Sequence, residues 1–198
     1  MSGGRDEILS SIRARQLVRT PKPEIYSAPK SEGDLAESFA KKLSVQFADV
    51  RLLDSMADVP AAIADVLRGK NMAQRVHIAP DSALALDLPG IEVSREPPGQ
   101  NEAAVTEVPF AIAETGTLAY PAGKGRPASW HFRPVLEIAV LRASDVLPEL
   151  EDVLKRLGGV LPSTLNLVSG PSRTGDIEQT MELGAHGPKS LAVLVVKS

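Results

Sequence analysis

The residues best suited to chemistry lie in one stretch near the end of the sequence, LVSGPSRTGDIEQTMELGAHGP, from Leu167 to Pro188. The stretch combines a Gly-Pro-Ser-Arg-Thr turn, an Asp-Ile-Glu segment and a histidine in GAHGP. The hydroxyls of Ser172 and Thr174 and the guanidinium of Arg173 can all donate hydrogen bonds to one anion, such as a phosphate or a carboxylate. The turn is therefore a candidate anion site.

The elements around the turn are predicted from their patterns. LNLVSG is typical of a strand and TGDIEQTMEL of a short helix, so GPSRT would be a strand-to-helix turn. Ligands gather outside the carboxyl ends of strands in open α/β sheets, and a helix N-terminus attracts anions. The alternative is plain helix capping, with Asp176 and Glu178 as first-turn residues that complement the helix dipole.

His186 is the candidate proton donor or acceptor of this stretch. Gly184 and Gly187 allow the backbone around it to bend sharply and to approach a ligand. Histidine changes its charge near neutral pH, which suits acid/base chemistry. The alternative is a structural histidine that is held by hydrogen bonds in a turn.

A second unusual stretch is AIAETGTLAYP, in which Glu114 interrupts an apolar strand. A lone buried carboxylate is costly, so we expect Glu114 to be paired, hydrogen-bonded or at the edge of a cleft. The hydroxyls of Thr115 and Thr117 could line that cleft. The alternative is an exposed Glu114 at a β-bulge centred on Gly116.

The loop at residues 121–134, PAGKGRPASWHFRP, is rich in glycine, proline and cations. Its cations are Lys124, Arg126 and Arg133, and a loop of this composition could close over an anionic ligand. Trp130 is the only tryptophan of the chain and is followed by His131. The alternative is a solvated loop that Trp130 anchors to the domain.

The composition restricts the classes of function. The chain has 198 residues, 43% of them hydrophobic and 24% charged, as in soluble globular proteins, and its net charge of −3 argues against nucleic-acid binding. It has no cysteine, which excludes a thiol nucleophile, a disulfide or a cysteine-held iron–sulfur cluster in this chain. The three histidines lie far apart, so no metal site is expected.

The hydrophobic periodicity predicts an open, mostly parallel α/β sheet with flanking helices. Leu35, Phe39, Leu43 and Phe47 recur every fourth residue and predict one helix, and ADVPAAIADVLRGK predicts another. ASDVLPELEDVLKRLGG predicts a third helix. DVRLL, RVHIAP, IEVSRE, PVLEIAVLR and SLAVLVVKS predict strands, and AAVTEVPFAIAETGTLAYP predicts one or two more with a kink at its glycine.

The N-terminal part predicts an appendage to this domain. RDEILSSIRARQLVR reads as an amphipathic helix, and the proline-rich TPKPEIYSAPK as an extended linker. We therefore divide the chain into a helix and linker at 1–30 and an α/β domain at 31–198. No apolar run is long enough to span a bilayer and the start shows no secretory signal, so we expect a cytoplasmic protein.

AIAETGTL, SGPSRTGDIE and GAHGPK together resemble the three signatures of the LUD (lactate-utilisation) domain family, specifically of the lactate-utilisation protein C type. This resemblance implies a fold of the sugar-phosphate isomerase and CoA-transferase type. It also implies a role in oxidising L-lactate to pyruvate with partner subunits that hold iron–sulfur clusters. The positions that match the family motifs are Glu114, Thr115, Gly116, Thr117, Gly170, Pro171, Ser172, Thr174, Asp176, Ile177, Glu178, Gly184, His186, Gly187 and Pro188.

One region departs from the family pattern. The loop keeps Arg126 and Ser129, but its proline is delayed to Pro134, and Glu137 stands where the family usually has a histidine. Three hypotheses follow from the sequence. The chain is a non-redox component of a lactate-oxidising complex that binds a partner and an anionic metabolite, a free-standing enzyme on a phosphorylated or carboxylate small molecule with Glu114 or His186 as acid/base, or a structural adaptor.

Overall fold

The computed structural model describes residues 3–15, 23–24, 33–159, 162–175, 181–183 and 187–197. The helices of these residues are α1 (Gly3–Arg15), α2 (Leu35–Val45), α3 (Val59–Gly69), α4 (Ser129–Phe132) and α5 (Leu150–Arg156). The strands are β1 (Asp49–Leu53), β2 (Arg75–His77), β3 (Glu92–Ser94), β4 (Ala103–Val108), β5 (Phe110–Ile112), β6 (Thr117–Pro121), β7 (Leu136–Arg142), β8 (Val146–Leu147), β9 (Leu165–Val168), β10 (Arg173–Gly175), β11 (Met181–Leu183) and β12 (Ser190–Val196).

The main sheet has six strands in the order β1-β12-β7-β4-β2-β3, and every neighbouring pair is parallel. The predicted α/β fold with a mostly parallel sheet is thus confirmed. The interior strand β12, next to the edge strand β1, is buried from Leu191 to Val196, as expected for an aliphatic strand that is covered on both faces.

A smaller sheet of four strands, in the order β8-β5-β6-β9, is a feature that the sequence pattern did not separate. Its strands β5, β6 and β9 are antiparallel, and β8 joins β5 in parallel. The segment that was predicted as one or two strands with a kink contains three, namely β4, β5 and β6. The predicted strand TLNLVSG forms, as β9, but in this second sheet.

Two hydrophobic clusters cover the faces of the main sheet. On one face, α3 contributes Ile63 and Leu67 to a core with Ile138 and Leu194. On the other face, α2 and the small sheet pack through residues that include Phe39 and Tyr120. The main sheet is therefore the middle layer of three.

Helix α2 begins where Asp34 accepts hydrogen bonds from the backbone N–H groups of Ala36 (2.8 Å) and Glu37 (3.2 Å). Phe39 and Leu43 are fully buried, as their spacing predicts. The helix ends at Val45, before the last residue of the predicted stripe. Phe47 has a φ of 68° and is 66% exposed, so it lies outside the helix and not on its buried face.

The helix predicted for TGDIEQTMEL does not form at its described residues, 174–175 and 181–183, which lie in strands. β10 pairs antiparallel with β11, with Arg173 opposite Leu183 and Gly175 opposite Met181. A single short helix is marginal without tertiary packing, and cross-strand pairing replaces it here. The described part of the GPSRT turn therefore leads into a strand, and the argument from a helix dipole does not apply to it.

The predicted helix over ASDVLPELEDVLKRLGG is also shorter than expected. A 3-10 turn at Ala143–Asp145 and strand β8 occupy its first part, and α5 begins only at Leu150. Pro148 explains the late start, because a proline disfavours a helical backbone at the residue before it.

The predicted N-terminal helix forms as α1, and its isoleucines are exposed, Ile8 by 62% and Ile12 by 49%. Most of the linker lies outside the described residues, so the proposed division into 1–30 and 31–198 stays a prediction. None of the helices described here has the length and apolar character of a membrane span.

Candidate functional site

The ETGT motif forms the turn between β5 and β6. Gly116 has a φ of 65°, and its N–H donates to the carbonyl of Ile112 at 3.0 Å. A Cβ at Gly116 would lie 2.7 Å from the backbone nitrogen of Leu43, so only glycine lets this turn pack on the end of α2. The Lys42 ammonium donates to the carbonyl oxygen of Glu114 across the same contact.

A chain of hydroxyls joins this turn to the second motif. The Oγ1 atoms of Thr115 and Thr117 are 2.7 Å apart, and Thr117 Oγ1 is 2.7 Å from Ser169 Oγ. Ser169 directly precedes the GPSRT turn. Thr117 is buried and Thr115 is exposed, so the chain of hydroxyls runs from the surface inward.

The GPSRT turn packs on the same end of α2. Gly170 has a φ of 134°, and a Cβ there would lie 2.8 Å from the carbonyl oxygen of Gln46. The guanidinium carbon of Arg173 lies 3.6 Å from the centre of the Phe47 ring, which is a cation–π contact. Residues 42–47 therefore form a shared support for the first two motifs.

The third motif touches the second through Gly187 and Pro188, which are both buried. The N–H of Ser172 donates to the carbonyl of Pro188 at 2.9 Å. A Cβ at Gly187 would lie 3.3 Å from Ser172 Cβ, so the two segments are in close contact. The structure thus brings together parts of all three motifs.

The position of these contacts differs from the expected carboxyl edge of the main sheet. Pro188 lies two residues before β12 begins, which places it at the amino end of that strand. The GPSRT turn follows β9, which belongs to the small sheet. The expectation failed because the sequence pattern did not show that β5, β6 and β9 belong to a sheet separate from the main one.

Several predicted site residues cannot be placed. Asp176, Glu178, Gly184 and His186 lie outside the described residues, and only the backbone of Thr174 is described. Glu114 is half-buried, so it is not the lone buried carboxylate that its place in an apolar strand suggested.

The fully buried carboxylate of the described residues is Glu137, which is 0% exposed near the start of β7. Three side chains converge on its Oε1 atom. Thr106 Oγ1 and Tyr120 Oη donate to it at 2.8 and 2.9 Å, and His131 Nδ1 lies 2.9 Å from it. We call Thr106, Tyr120, His131 and Glu137 the Glu137 cluster.

The cluster fixes the protonation of its members. Burial, together with the neighbouring Glu137 charge, raises the pKa of Tyr120 well above its ordinary value, so its hydroxyl keeps its proton and donates. His131 is 1% exposed, and its ring stacks on Tyr120 with the ring centres 3.8 Å apart. Because Oε1 of Glu137 already accepts two hydroxyls, the Nδ1 atom of His131 carries the proton between them.

Four polar atoms at or beside this cluster are buried without a hydrogen-bond partner among the described residues: Glu137 Oε2, His131 Nε2, Trp130 Nε1 and Arg126 Nε. Sequence reasoning missed the cluster, although one signal was present. Glu137 interrupts the apolar strand PVLEIAVLR in the same way that Glu114 interrupts the apolar stretch AIAETGTLAYP. No group of three or more histidine, cysteine, aspartate or glutamate side chains within the described ranges could hold a metal ion.

Comparisons with known proteins agree with the motifs. Residues 36–196 match the sequence model of the LUD domain. Lactate utilization protein C of Halalkalibacterium halodurans is 33% identical over 104 residues, which are 50% of this chain and 45% of that protein. The protein of the same name from Geobacillus kaustophilus is 33% identical over 93 residues, 44% of this chain and 39% of that protein.

Uncharacterized protein YkgG of Escherichia coli is 29% identical over 104 residues, 50% of this chain and 45% of that protein. The chain thus matches less than half the length of these relatives. A crystal structure of a DUF162 family protein from Deinococcus radiodurans has a TM-score of 0.63 at 23% identity. That match covers 85% of this chain and 99% of the other, and it shows that the two share a fold.

Proposed function

This chain belongs to the LUD domain family, and from that membership we propose that it is a component of a lactate-utilisation system. The similarity to relatives named lactate utilization protein C supports a role in lactate utilisation. The contacts between the motifs support a binding role within that system. The chain has no cysteine, so the iron–sulfur clusters of such a system belong to partner subunits. The proposed task of this chain is to bind an anionic small molecule and a partner in the cytoplasm.

The observation that carries this proposal is the contact between the three motifs, the first two of which pack on the end of α2. Arg173 is exposed, and its guanidinium lies over the Phe47 ring. Ser169, which precedes the same turn, is hydrogen-bonded to Thr117 of the first motif. A guanidinium and hydroxyl donors are the groups that bind a carboxylate or a phosphate. This argument keeps the anion site at the GPSRT turn without the helix dipole.

The test is growth of the source organism on L-lactate after deletion of the gene for this chain. We expect growth on L-lactate to be lost and growth on pyruvate to be kept, because only the oxidation of lactate is interrupted. A deletion strain that grows normally on L-lactate would contradict the proposed system.

The role of the turn is tested in the same strain with Arg173→Ala and a matched control, Arg68→Ala. Arg68 is an exposed arginine of α3 on the other face of the main sheet, where it pairs with Asp65. A charge-assisted contact contributes about 1.5–3 kcal/mol, so Arg173→Ala should weaken anion binding roughly ten- to a hundredfold. Calorimetric titration with lactate, pyruvate and phosphate measures this loss, and equal affinities in both variants would place the anion elsewhere.

A further inference from the structure

A small, partly enclosed cavity lies under the loop at residues 122–128, next to the Glu137 cluster. It has a volume of about 10 Å³, and the polar side chains that line it include Thr106, Glu107, Arg126, Trp130 and His131. A volume of about 10–15 Å³ accommodates one water-sized group. The cavity is thus a small polar space inside the domain.

Three of the polar atoms without a partner among the described residues belong to the lining of this cavity. They are Trp130 Nε1, His131 Nε2 and Arg126 Nε. Trp130 is 6% exposed and His131 is 1% exposed, so neither side chain finds its partner in bulk water. An indole N–H and a guanidinium can only donate hydrogen bonds, so each requires an acceptor oxygen inside the cavity, from a water or from a ligand.

His131 can contribute an acceptor to the cavity, whereas Trp130 and Arg126 contribute donors. Its Nδ1 proton points to Glu137, so Nε2 presents a lone pair and can accept a proton. The Glu137 carboxylate would then balance the positive charge of the imidazolium. A carboxylate behind a histidine in this way holds the ring in place and fixes which nitrogen carries the first proton.

The charges around the cavity decide which ligand it can take. Arg126 supplies one positive charge, whereas Glu107 in the lining and Glu137 behind His131 supply two negative charges. With neutral His131 the site therefore repels a third carboxylate. A proton on His131 removes that excess negative charge and adds a third donor next to Trp130 and Arg126.

We propose that this cavity is a binding site for a small carboxylate that enters together with one proton. The proton goes to Nε2 of His131, and the carboxylate oxygens accept from His131, Trp130 and Arg126. No covalent bond forms or breaks in the ligand. The donors of the cavity define this ligand class, and only the choice of lactate as a probe rests on the proposed function.

Entry of a carboxylate requires the covering loop to move, because the cavity fits only a water-sized group. The backbone of this loop packs directly against Asp81, since a Cβ at Gly125 would lie 2.2 Å from the carbonyl oxygen of Asp81. Residues 122–124, at the start of this loop, are exposed. Ligand entry therefore requires this loop to separate from Asp81.

The experiment uses Trp130, which is the only tryptophan of the chain and lines the cavity. Acetate and L-lactate are titrated into the full chain while the tryptophan emission is recorded. Calorimetry in two buffers with different heats of protonation gives the number of protons taken up. We expect a change in emission, uptake of one proton per ligand, and an affinity that falls about tenfold per pH unit wherever free His131 is neutral.

Three variants distinguish ligand binding in this cavity from a purely structural role of its side chains. His131→Asn keeps a donor towards Glu137 but removes Nε2, so proton uptake should disappear and affinity should fall roughly ten- to a hundredfold. Arg126→Met should lower affinity by a similar factor while proton uptake is retained. Arg133→Met changes an exposed cation directly after α4, outside the covering loop, and should bind within about twofold of the wild type.

Acetate binding without proton uptake, or no change in emission, would overturn the proposal. If His131→Asn fails to fold, Arg126→Met decides, because it leaves the Glu137 cluster intact: a wild-type affinity would then exclude the site. Acetate binding with proton uptake in a protein whose deletion leaves growth on lactate unchanged would support this site and reject the proposed function.

Discussion

Tyr120 is buried with its hydroxyl 2.9 Å from a Glu137 oxygen, and its pKa is raised by burial and by that charge. In the unfolded chain a tyrosine loses its proton near pH 10, whereas Tyr120 of the folded chain keeps it. The folded state then binds more protons than the unfolded state, so the stabilisation is present below about pH 10 and is lost as the pH rises above it.

The substitution Tyr120→Phe tests this linkage. It removes a donor to a buried carboxylate and should lower the free energy of unfolding by about 1.5–3 kcal/mol at pH 7. It should also remove part of the loss of stability between pH 9 and pH 11. Urea unfolding of both proteins across this range measures the difference, and parallel curves for variant and wild type would show that Tyr120 ionises as in the unfolded chain.

Among the elements, α2 positions the motif turns, and Asp34 defines its start. Asp34→Ala removes the acceptor for two N–H groups of the first turn and should cost about 1 kcal/mol of stability. Asp65→Ala is the matched control, because it removes only an exposed ion pair with Arg68 and should cost less than about 0.5 kcal/mol. Urea unfolding compares the two, and equal losses would show that the cap contributes nothing.

The helices and strands that the sequence predicted well are those with a strong local period. The apolar spacing of α3 and the aliphatic run of β12 leave few alternatives, and both elements form at the expected residues. The hairpin of β10 and β11 was predicted as a helix because its residues favour one locally. β10 and β11 pair with each other, and pairing between strands depends on contacts that local propensity does not report.

The candidate site, like the fold, was predicted in part from the sequence. The family motifs identified the turns at Gly116 and Gly170, since each has a distinctive local composition. The Glu137 cluster was missed because its members come from four separate segments. Thr106, Tyr120 and His131 lie 31, 17 and 6 residues from Glu137, and only the packing of the two sheets brings them together.

For the whole molecule, the testable division is between residues 1–30 and the rest. The described side chains of α1 are exposed, apart from Leu9, which is intermediate, so little buried apolar surface depends on this helix. A chain that begins at residue 31 should unfold with a free energy within about 0.5 kcal/mol of the full chain. Urea unfolding of both chains provides the measurement, and a loss above about 1 kcal/mol would mean that the helix packs on the domain.

The order of strands in the main sheet has a consequence for how the chain is made. β12 lies between β1 and β7, so β1 has no strand beside it until residues 190–196 exist. A ribosome releases β1 long before β12, and during that interval the nascent chain carries unpaired strand edges and uncovered apolar faces. These exposed edges can attract other chains. We therefore expect the growing polypeptide to depend on chaperones until β12 leaves the exit tunnel.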